Sequence, residues 1–295
     1  MKQTVFQGAA TALITPFTAD GTIDYHRFGL LVDWQIESGI DALVVCGTTG
    51  EASTFTDDEH RDAIAFVVER ANGRVPVIAG TGSNDTQYAI ELTKHACSVG
   101  ADACLVVTPY YNKTTQKGLI GMFSAIADAS EKPIILYNVP SRTGMNIEPE
   151  TYAALAGHGN IAGIKEANGN ISKIVSTMAL AGDRLDLYSG NDDQIVPVLA
   201  AGGKGVISVL SNVLPGETSL ICKKFFGGDV KGSMELQKKY LPLINALFSE
   251  VNPIPAKAAM AKLGYTENVL RPPLCAMEET HAEKLYAEMR ALGLI

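Results

Sequence analysis

The chain repeats one unit along most of its length: a short apolar run, a polar turn, and a segment with apolar residues at helical spacing. The short runs are almost continuously apolar and do not alternate with polar residues. Strands buried on both faces have this composition, which is typical of parallel sheets covered by helices. The pattern predicts eight strands, at Ala9–Thr15, Asp41–Gly47, Val75–Thr81, Ala103–Pro109, Pro133–Val139, Ile161–Lys165, Leu185–Gly190 and Gly205–Leu210.

Helix signals fill the intervals between these runs. Asp24 is a suitable N-cap for the first helix, and Thr56-Asp57-Asp58-Glu59 has the sequence of a capping box for the second. Eight strands with seven crossovers predict an α/β fold of the (β/α)8 TIM-barrel type. An open doubly wound sheet is the alternative, but it usually shows a glycine-rich fingerprint after its first strand, where this chain has Thr15-Pro16-Phe17.

After Leu210 the strand signals stop and only helical patterns remain. Part of this segment is needed to close the barrel, and the rest predicts a C-terminal helical appendage. We therefore expect a catalytic barrel over residues 1–225 and a C-terminal helical region over residues 226–295. The helices of this part are predicted at Pro215–Phe226, Val230–Ser249, Pro255–Leu263 and Met277–Leu292.

Composition narrows the classes of function. The 295 residues carry a net charge of −8, which argues against non-specific binding of nucleic acid. No apolar run approaches the ~18 residues of a membrane span, and Met1–Ile14 is a poor signal peptide because Ala9–Ile14 is better explained as a strand. Five cysteines without a CxxC pair predict reduced thiols in a cytoplasmic protein. The five histidines are far apart, so no metal site is expected.

Lys165 ends the sixth predicted strand, at the face that carries active sites in barrels. Lysine is seldom buried, and apolar surroundings lower the pKa of its ammonium until the neutral amine can attack a carbonyl. The alternative is a solvated lysine, or one that pairs with Glu166. Lys204 precedes its strand, so we expect it at the opposite face without a catalytic role.

Other strand ends carry polar residues that fit the same chemistry. Tyr137 ends strand five and Arg142 follows it, where a phenol can move protons and a guanidinium can bind a carboxylate. Tyr137 is equally explained as a core residue with a satisfied hydroxyl. The loop Gly47-Thr48-Thr49-Gly50-Glu51 can bind a small anion through its backbone, or it is an ordinary turn.

Two further loops restrict the partners of the site. Tyr110 and Tyr111 follow strand four, and exposed adjacent tyrosines favour an oligomer contact over a pocket wall. Asp192 and Asp193 follow strand seven, where many barrels bind phosphate. Their negative charge would repel that group, so a phosphorylated substrate is not expected.

Taken together, these strand ends resemble those of the dihydrodipicolinate synthase family of pyruvate-dependent class I aldolases. The likeness runs from about Gly8 to the C-terminus. Any one of the motifs is moderately specific, whereas four in order, each at a predicted strand end, are strongly so. The motifs are Gly47-Thr48-Thr49-Gly50-Glu51, Tyr110-Tyr111-Asn112, Tyr137-Asn138-Val139-Pro140-Ser141-Arg142-Thr143 and Gly163-Ile164-Lys165-Glu166-Ala167.

The resemblance implies that the Lys165 amine forms an imine with pyruvate and that Thr49 holds the pyruvate carboxylate. Tyr137 would move protons, and Thr48 would link it to Tyr111, which in the family reaches in from a neighbouring subunit. The family uses no metal or organic cofactor and usually forms a homotetramer of two tight dimers.

The second substrate implied by the resemblance is L-aspartate-4-semialdehyde, in the diaminopimelate and lysine pathway. Arg142 would bind its carboxylate, and Gly190 and Ile207 would shape the pocket at the imine carbon. Family members inhibited by lysine have a histidine and a glutamate where this chain has Asp57 and Tyr88. We therefore expect weak or absent feedback inhibition.

Two alternatives remain open at this point. N-acetylneuraminate lyases and 2-keto-3-deoxy sugar acid aldolases share the lysine, the tyrosine and the Gly-Glu loop. Arg142 within Ser-Arg-Thr and the double Thr48-Thr49 argue against them. The other alternative is a catalytically inactive barrel that binds keto acids, which receives little support because each catalytic position holds a competent side chain.

Overall fold

The computed structural model describes residues 4–295, so residues 1–3 of the segment compared with a signal peptide lie outside it. Eight parallel strands close into a barrel in chain order, and the first strand pairs with the last. This confirms the predicted (β/α)8 barrel. The strands are β1 Gly8–Ala12, β2 Ala42–Val45, β3 Val77–Gly80, β4 Ala103–Val107, β5 Ile134–Asn138, β6 Ile161–Glu166, β7 Asp186–Ser189 and β8 Gly205–Ser208.

Helices cover the barrel and continue beyond it. Asp24 accepts a hydrogen bond from the backbone N–H of Arg27, and the capping box of Thr56 and Glu59 is formed, as predicted. The helices are α1 Tyr25–Glu37, α2 Asp57–Ala71, α3 Thr86–Ser98, α4 Gln116–Asp128, α5 Pro140–Thr143, α6 Pro149–Leu155, α7 Ile171–Ala181, α8 Ile195–Ala200, α9 Pro215–Phe226, α10 Val230–Leu247, α11 Ile254–Lys262 and α12 Glu279–Ala291.

Most predicted strands extend past the observed ones at their carboxyl ends. After β1, the backbone N–H of Leu13 still reaches the carbonyl of Val44, but that of Ile14 bonds to the side chain of Asn212. The chain thus remains extended while its partners change from a neighbouring strand to loop side chains. This change frees the strand ends to form the surface of the site.

Alternation along the strands separates two apolar layers. Side chains such as Ile135, Tyr137 and Ile207 point into the barrel, whereas Leu136 and Ile164 pack outward against the helices. A residue and its chain neighbour therefore face opposite environments. This rule decides which strand-end side chains enter the site.

The C-terminal helices are held to the barrel by buried polar contacts. Gln237 of α10 accepts a hydrogen bond from the backbone N–H of Val196 in α8 (2.7 Å). Lys257 of α11 is fully buried and pairs with Glu51 (2.9 Å). The division at residues 225 and 226 stays a prediction, and it falls at the last residues of α9. Over residues 4–295, no helix combines the length and apolarity needed to cross a membrane.

Candidate active site

Lys165 lies at the carboxyl end of β6 with its side chain directed into the barrel. It is 7% exposed, and its amine is 4.3 Å from the ring centroid of Tyr137, the residue beside it in register on β5. Burial lowers the pKa of Lys165 to about 8, because an ammonium in apolar surroundings loses its hydration. The structure therefore places a partly neutral amine inside the carboxyl end of the barrel, against the ring of Tyr137.

Glu166 points away from Lys165, to the outside of the barrel. Its carboxylate accepts hydrogen bonds from Asn138 (3.0 Å) and from the hydroxyl of Tyr152 (2.9 Å). Burial raises the pKa of Glu166 to about 7. The alternative in which Glu166 pairs with Lys165 is therefore wrong, because consecutive strand residues face opposite sides.

Tyr137 is buried and bonded to the turn that follows β2. Burial raises the pKa of its phenol, whereas the positive charge of Arg142 and a hydrogen bond with the hydroxyl of Thr48 lower it. The structure thus joins Tyr137 to Thr48 on one side and to Lys165 on the other. The contact with Thr48 is a hydrogen bond, whereas the contact with Lys165 is between its amine and the face of the Tyr137 ring.

The loop after β2 makes two short 3-10 turns, at Thr48–Gly50 and Ala52–Thr54. Thr49 is buried, and its hydroxyl accepts a hydrogen bond from the side-chain amide of Asn252 (2.9 Å). The hydroxyl of Thr15 donates to the carbonyl of Gly50 (2.8 Å), and Glu51 holds the turn through its ion pair with Lys257 (2.9 Å). Both sides of the turn are therefore anchored.

Arg142 lies on α5, at the rim of the barrel. Its guanidinium donates to the backbone carbonyl of Asn252 (2.8 Å) and remains exposed. Arg142, Thr48, Tyr137 and Tyr110 line one cavity of about 420 Å³. Lys165 is not among the lining residues, but its amine contacts the Tyr137 ring that is. The cavity is large enough for two small substrates.

Gly190 follows β7 and Ile207 lies on β8, and their role in shaping a pocket at the imine carbon stays a prediction. The backbone N–H of Gly190 donates to the carbonyl of Glu166 (2.7 Å), and a Cβ at Gly190 would come within 2.8 Å of the Ala167 side chain. Only glycine allows the ends of β6 and β7 to approach this closely. Ile207 is buried in the same inner layer as Tyr137.

Asp192 is a buried acid whose effect on Lys165 the sequence pattern did not reveal. Its side chain is buried, and one carboxylate oxygen accepts hydrogen bonds from the backbone N–H groups of Val209 (3.0 Å) and Leu210 (2.9 Å). Its negative charge raises the pKa of Lys165, against the effect of burial. The charge of Asp192 thus offsets part of the decrease in the Lys165 pKa that burial causes. Asp193, the next residue, is exposed.

Asn252 and Lys257 were also not predicted. Both belong to the C-terminal region and contact the loop after β2, more than 200 residues away along the chain. Asn252 and its partner Thr49, for example, are 203 residues apart. A lysine in the middle of the alanine-rich helix α11 is the one signal that could have drawn attention to this contact. Asn252 carries no local signal of its role.

The structure also places Tyr111 and Asp57, which the sequence singled out, and Cys46. Tyr111 is 92% exposed, so in a single chain it does not pack into the cavity. Asp57 is bonded to Tyr88 and pairs with Arg61 (2.7 Å). Burial raises the pKa of the Cys46 thiol.

Two further findings concern Lys204 and possible metal ligands. Lys204 immediately precedes β8, at the face opposite to Lys165, as predicted. Across the part of the chain that the structure describes, no three His, Cys, Asp or Glu residues are grouped so that they could hold a metal ion.

A closed parallel barrel with a desolvated lysine at a strand end defines the class of this protein: it is a lyase of the class I aldolase type. Residues 5–292 match the model of the Dihydrodipicolinate synthetase family, and the chain belongs to that family. The resemblance seen in the sequence is thereby confirmed.

Individual relatives agree over the full length. The 4-hydroxy-tetrahydrodipicolinate synthase of Clostridium perfringens is 54% identical over 291 residues, which cover 99% of this chain and 100% of that protein. The structure of the dihydrodipicolinate synthase from Thermotoga maritima has a TM-score of 0.97 at 43% identity, covering 99% of this chain and 100% of that one. The dihydrodipicolinate synthase from Acinetobacter baumannii, complexed with pyruvate, gives the same TM-score and coverage at 42% identity.

The opposing effects of burial and Asp192 predict the pH dependence of the amine. An amine adds to a carbonyl only in its neutral form, so with Lys165 as the predicted nucleophile we expect kcat/KM for a keto acid to rise with pH through a midpoint near 8. Asp192→Asn keeps an acceptor for the two backbone N–H groups but removes the charge, so the midpoint should fall. The exposed Asp193→Asn serves as the control, with no shift. A midpoint that rises in Asp192→Asn would contradict the electrostatic role of Asp192.

Proposed function

We propose that the chain catalyses the reaction for which its relatives are named, condensing pyruvate, held as a Schiff base on Lys165, with L-aspartate-4-semialdehyde. The observation that carries the proposal is the buried Lys165 amine beside Tyr137, with its pKa lowered to about 8. Such an amine is neutral in a useful fraction near neutral pH. The product, a 4-hydroxy-tetrahydrodipicolinate, lies on the diaminopimelate route to lysine.

The first step is the addition of the Lys165 nitrogen to the ketone carbon of pyruvate. Loss of one water from the resulting carbinolamine gives the protonated imine. In this proposal Tyr137 donates the proton that the leaving hydroxyl needs and then accepts one from the methyl group, which gives the enamine. The hydroxyl of Thr49 and the backbone around it would hold the pyruvate carboxylate, with Gly190 and Ile207 beside the imine carbon.

The second step joins the two substrates. The enamine carbon attacks the aldehyde of the semialdehyde, whose carboxylate Arg142 would bind from the cavity rim. The amino group of the same substrate then attacks the imine carbon and displaces the Lys165 amine, closing the ring. One water is released over the whole reaction, so atoms balance without an oxidant or reductant.

The proton relay requires a second copy of the chain. Tyr137 is bonded to Thr48, and the resemblance continues this relay to Tyr111 of a neighbouring subunit. The 92% exposure of Tyr111 in one chain supports such a contact, because a tyrosine ring is costly to leave in water. This contact supports a dimer, and from the resemblance we propose that two such dimers form a homotetramer. The free cysteines support a location in the cytoplasm.

The substrate assignment is tested by a coupled assay with each aldehyde. We expect turnover of pyruvate with aspartate-4-semialdehyde and none with N-acetylmannosamine, and the reverse would favour a sugar acid lyase. Arg142→Ala should raise the KM for the semialdehyde at least tenfold, because a charge-assisted bond to its carboxylate is lost, while the KM for pyruvate changes less than threefold. Equal increases in both KM values would make Arg142 structural.

Feedback by lysine should be weak. Tyr88 stands where the inhibited family members have the glutamate expected to bind the lysine ammonium, so that carboxylate is missing here. Asp57, at the position of the histidine, pairs with Arg61 and accepts a hydrogen bond from Tyr88, and these contacts lower its pKa. The positive charge of Arg61 opposes a second cation. We expect half-maximal inhibition only at millimolar lysine or above, measured in the coupled assay. Sub-millimolar inhibition would contradict this expectation.

A further inference from the structure

One residue of the C-terminal region contacts both of the residues proposed to bind substrate carboxylates. The side-chain amide of Asn252 donates to the hydroxyl of Thr49 (2.9 Å), and its backbone carbonyl accepts from the guanidinium of Arg142 (2.8 Å). Thr49 follows β2 and Arg142 follows β5, so these residues come from separate parts of the barrel rim. Asn252 itself is 6% exposed and lies between α10 and α11.

The direction of the bond to Thr49 has a chemical consequence. A threonine hydroxyl has one hydrogen and can accept through its lone pairs, whereas an amide NH2 can only donate. With the amide nitrogen of Asn252, rather than its oxygen, facing Thr49, Asn252 supplies the hydrogen of their shared bond and the hydrogen of Thr49 is left for another acceptor. A carboxylate is an acceptor only, so this arrangement prepares Thr49 to bind one.

The segment that carries Asn252 is fixed to the same loop a second time. The amine of Lys257, five residues further on, lies 2.9 Å from the carboxylate of Glu51 and donates to the carbonyl of Thr15 (2.6 Å). Both side chains of the ion pair are fully buried. The C-terminal segment therefore contacts the loop at both Thr49 and Glu51. These two contacts fix the Asn252 amide relative to the Thr49 hydroxyl.

We propose that Asn252 is a positioning residue that orients the Thr49 hydroxyl as a donor toward the pyruvate carboxylate, so that the C-terminal region forms part of the pyruvate site. The inference rests on the proposed function, because it takes pyruvate as the ligand of Thr49. The two contacts of Asn252 have different roles. Its side chain acts on pyruvate through Thr49, whereas its backbone carbonyl accepts from Arg142 whatever side chain stands at position 252.

A merely structural role makes different predictions. If Asn252 only attached the C-terminal region, its loss would lower stability and change both KM values together. If it orients Thr49, its loss should act on pyruvate alone and only while the Thr49 hydroxyl is present. Two substitutions separate these cases: alanine removes the donor, and the nearly isosteric aspartate replaces it with an acceptor.

The experiment measures kcat and both KM values for Asn252→Ala, Asn252→Asp, Thr49→Val and Asn252→Ala combined with Thr49→Val. Asn252→Ala should raise the KM for pyruvate about fivefold, as expected for one lost hydrogen bond, and change that for the semialdehyde less than twofold. Asn252→Asp should be worse, at about 20-fold or more, because it captures the Thr49 hydrogen and adds a negative charge near the bound carboxylate.

The double variant and a control complete the test. With Thr49→Val, the added Asn252→Ala should cause no further increase in the KM for pyruvate. Glu250→Ala removes a bond from the same segment to His281 (2.7 Å) without touching Thr49, and it should leave both KM values within twofold. Additive effects in the double variant, equal changes in both KM values, or Asn252→Asp no worse than Asn252→Ala would each overturn the inference.

The failure of the proposed function looks different. In that case the wild-type protein itself would not turn over pyruvate with the semialdehyde, whatever residue stands at position 252. Wild-type turnover with an unchanged KM for pyruvate in both Asn252 variants would overturn only the role of Asn252.

Discussion

The chemistry of this protein depends on one physical constraint, the desolvation of an amine inside a closed barrel. Lysine normally keeps its proton at neutral pH, and a protonated amine cannot add to a ketone. Burial at the end of β6 lowers the pKa of Lys165 to about 8, and the nearby charge of Asp192 limits the decrease. The strands β5 and β7 lie on either side of β6 and surround Lys165. The glycine at position 190 allows the ends of β6 and β7 to lie close together. Without a closed barrel, none of these contacts would surround a strand-end side chain.

The second requirement is a rigid loop opposite the amine. The turn at Thr48–Gly50 places one hydroxyl toward Tyr137 and the next toward the C-terminal region, so adjacent residues serve different purposes. The ion pair of Lys257 and Glu51 fixes this turn to the C-terminal region. Both side chains are fully buried, so solvent does not screen their attraction. The helices beyond β8 are thus more than an appendage to the barrel, because they complete the site that the strand ends begin.

Residues that depart from their local pattern could be predicted, and residues defined by distant contacts could not. The eight strands follow from apolar runs, and Lys165 is conspicuous because a lysine ends one of them. The outward direction of Glu166 also follows from strand alternation, although the sequence left its pairing open. Asp192 resembled a solvent-facing loop charge like Asp193, because burial of one of two adjacent acids has no local signature. Asn252 meets Thr49 across 203 residues of chain, and only the closed fold brings them together.

The most direct test of the central claim is to trap the imine. The protein is incubated with pyruvate and borohydride, its intact mass is measured, and the modified peptide is mapped. We expect one reduced pyruvyl adduct per chain, on Lys165, with the buried Lys257 and the strand-start Lys204 unmodified. Folded protein that gives no adduct, or an adduct on another lysine, would contradict the assignment of Lys165 as the Schiff-base residue.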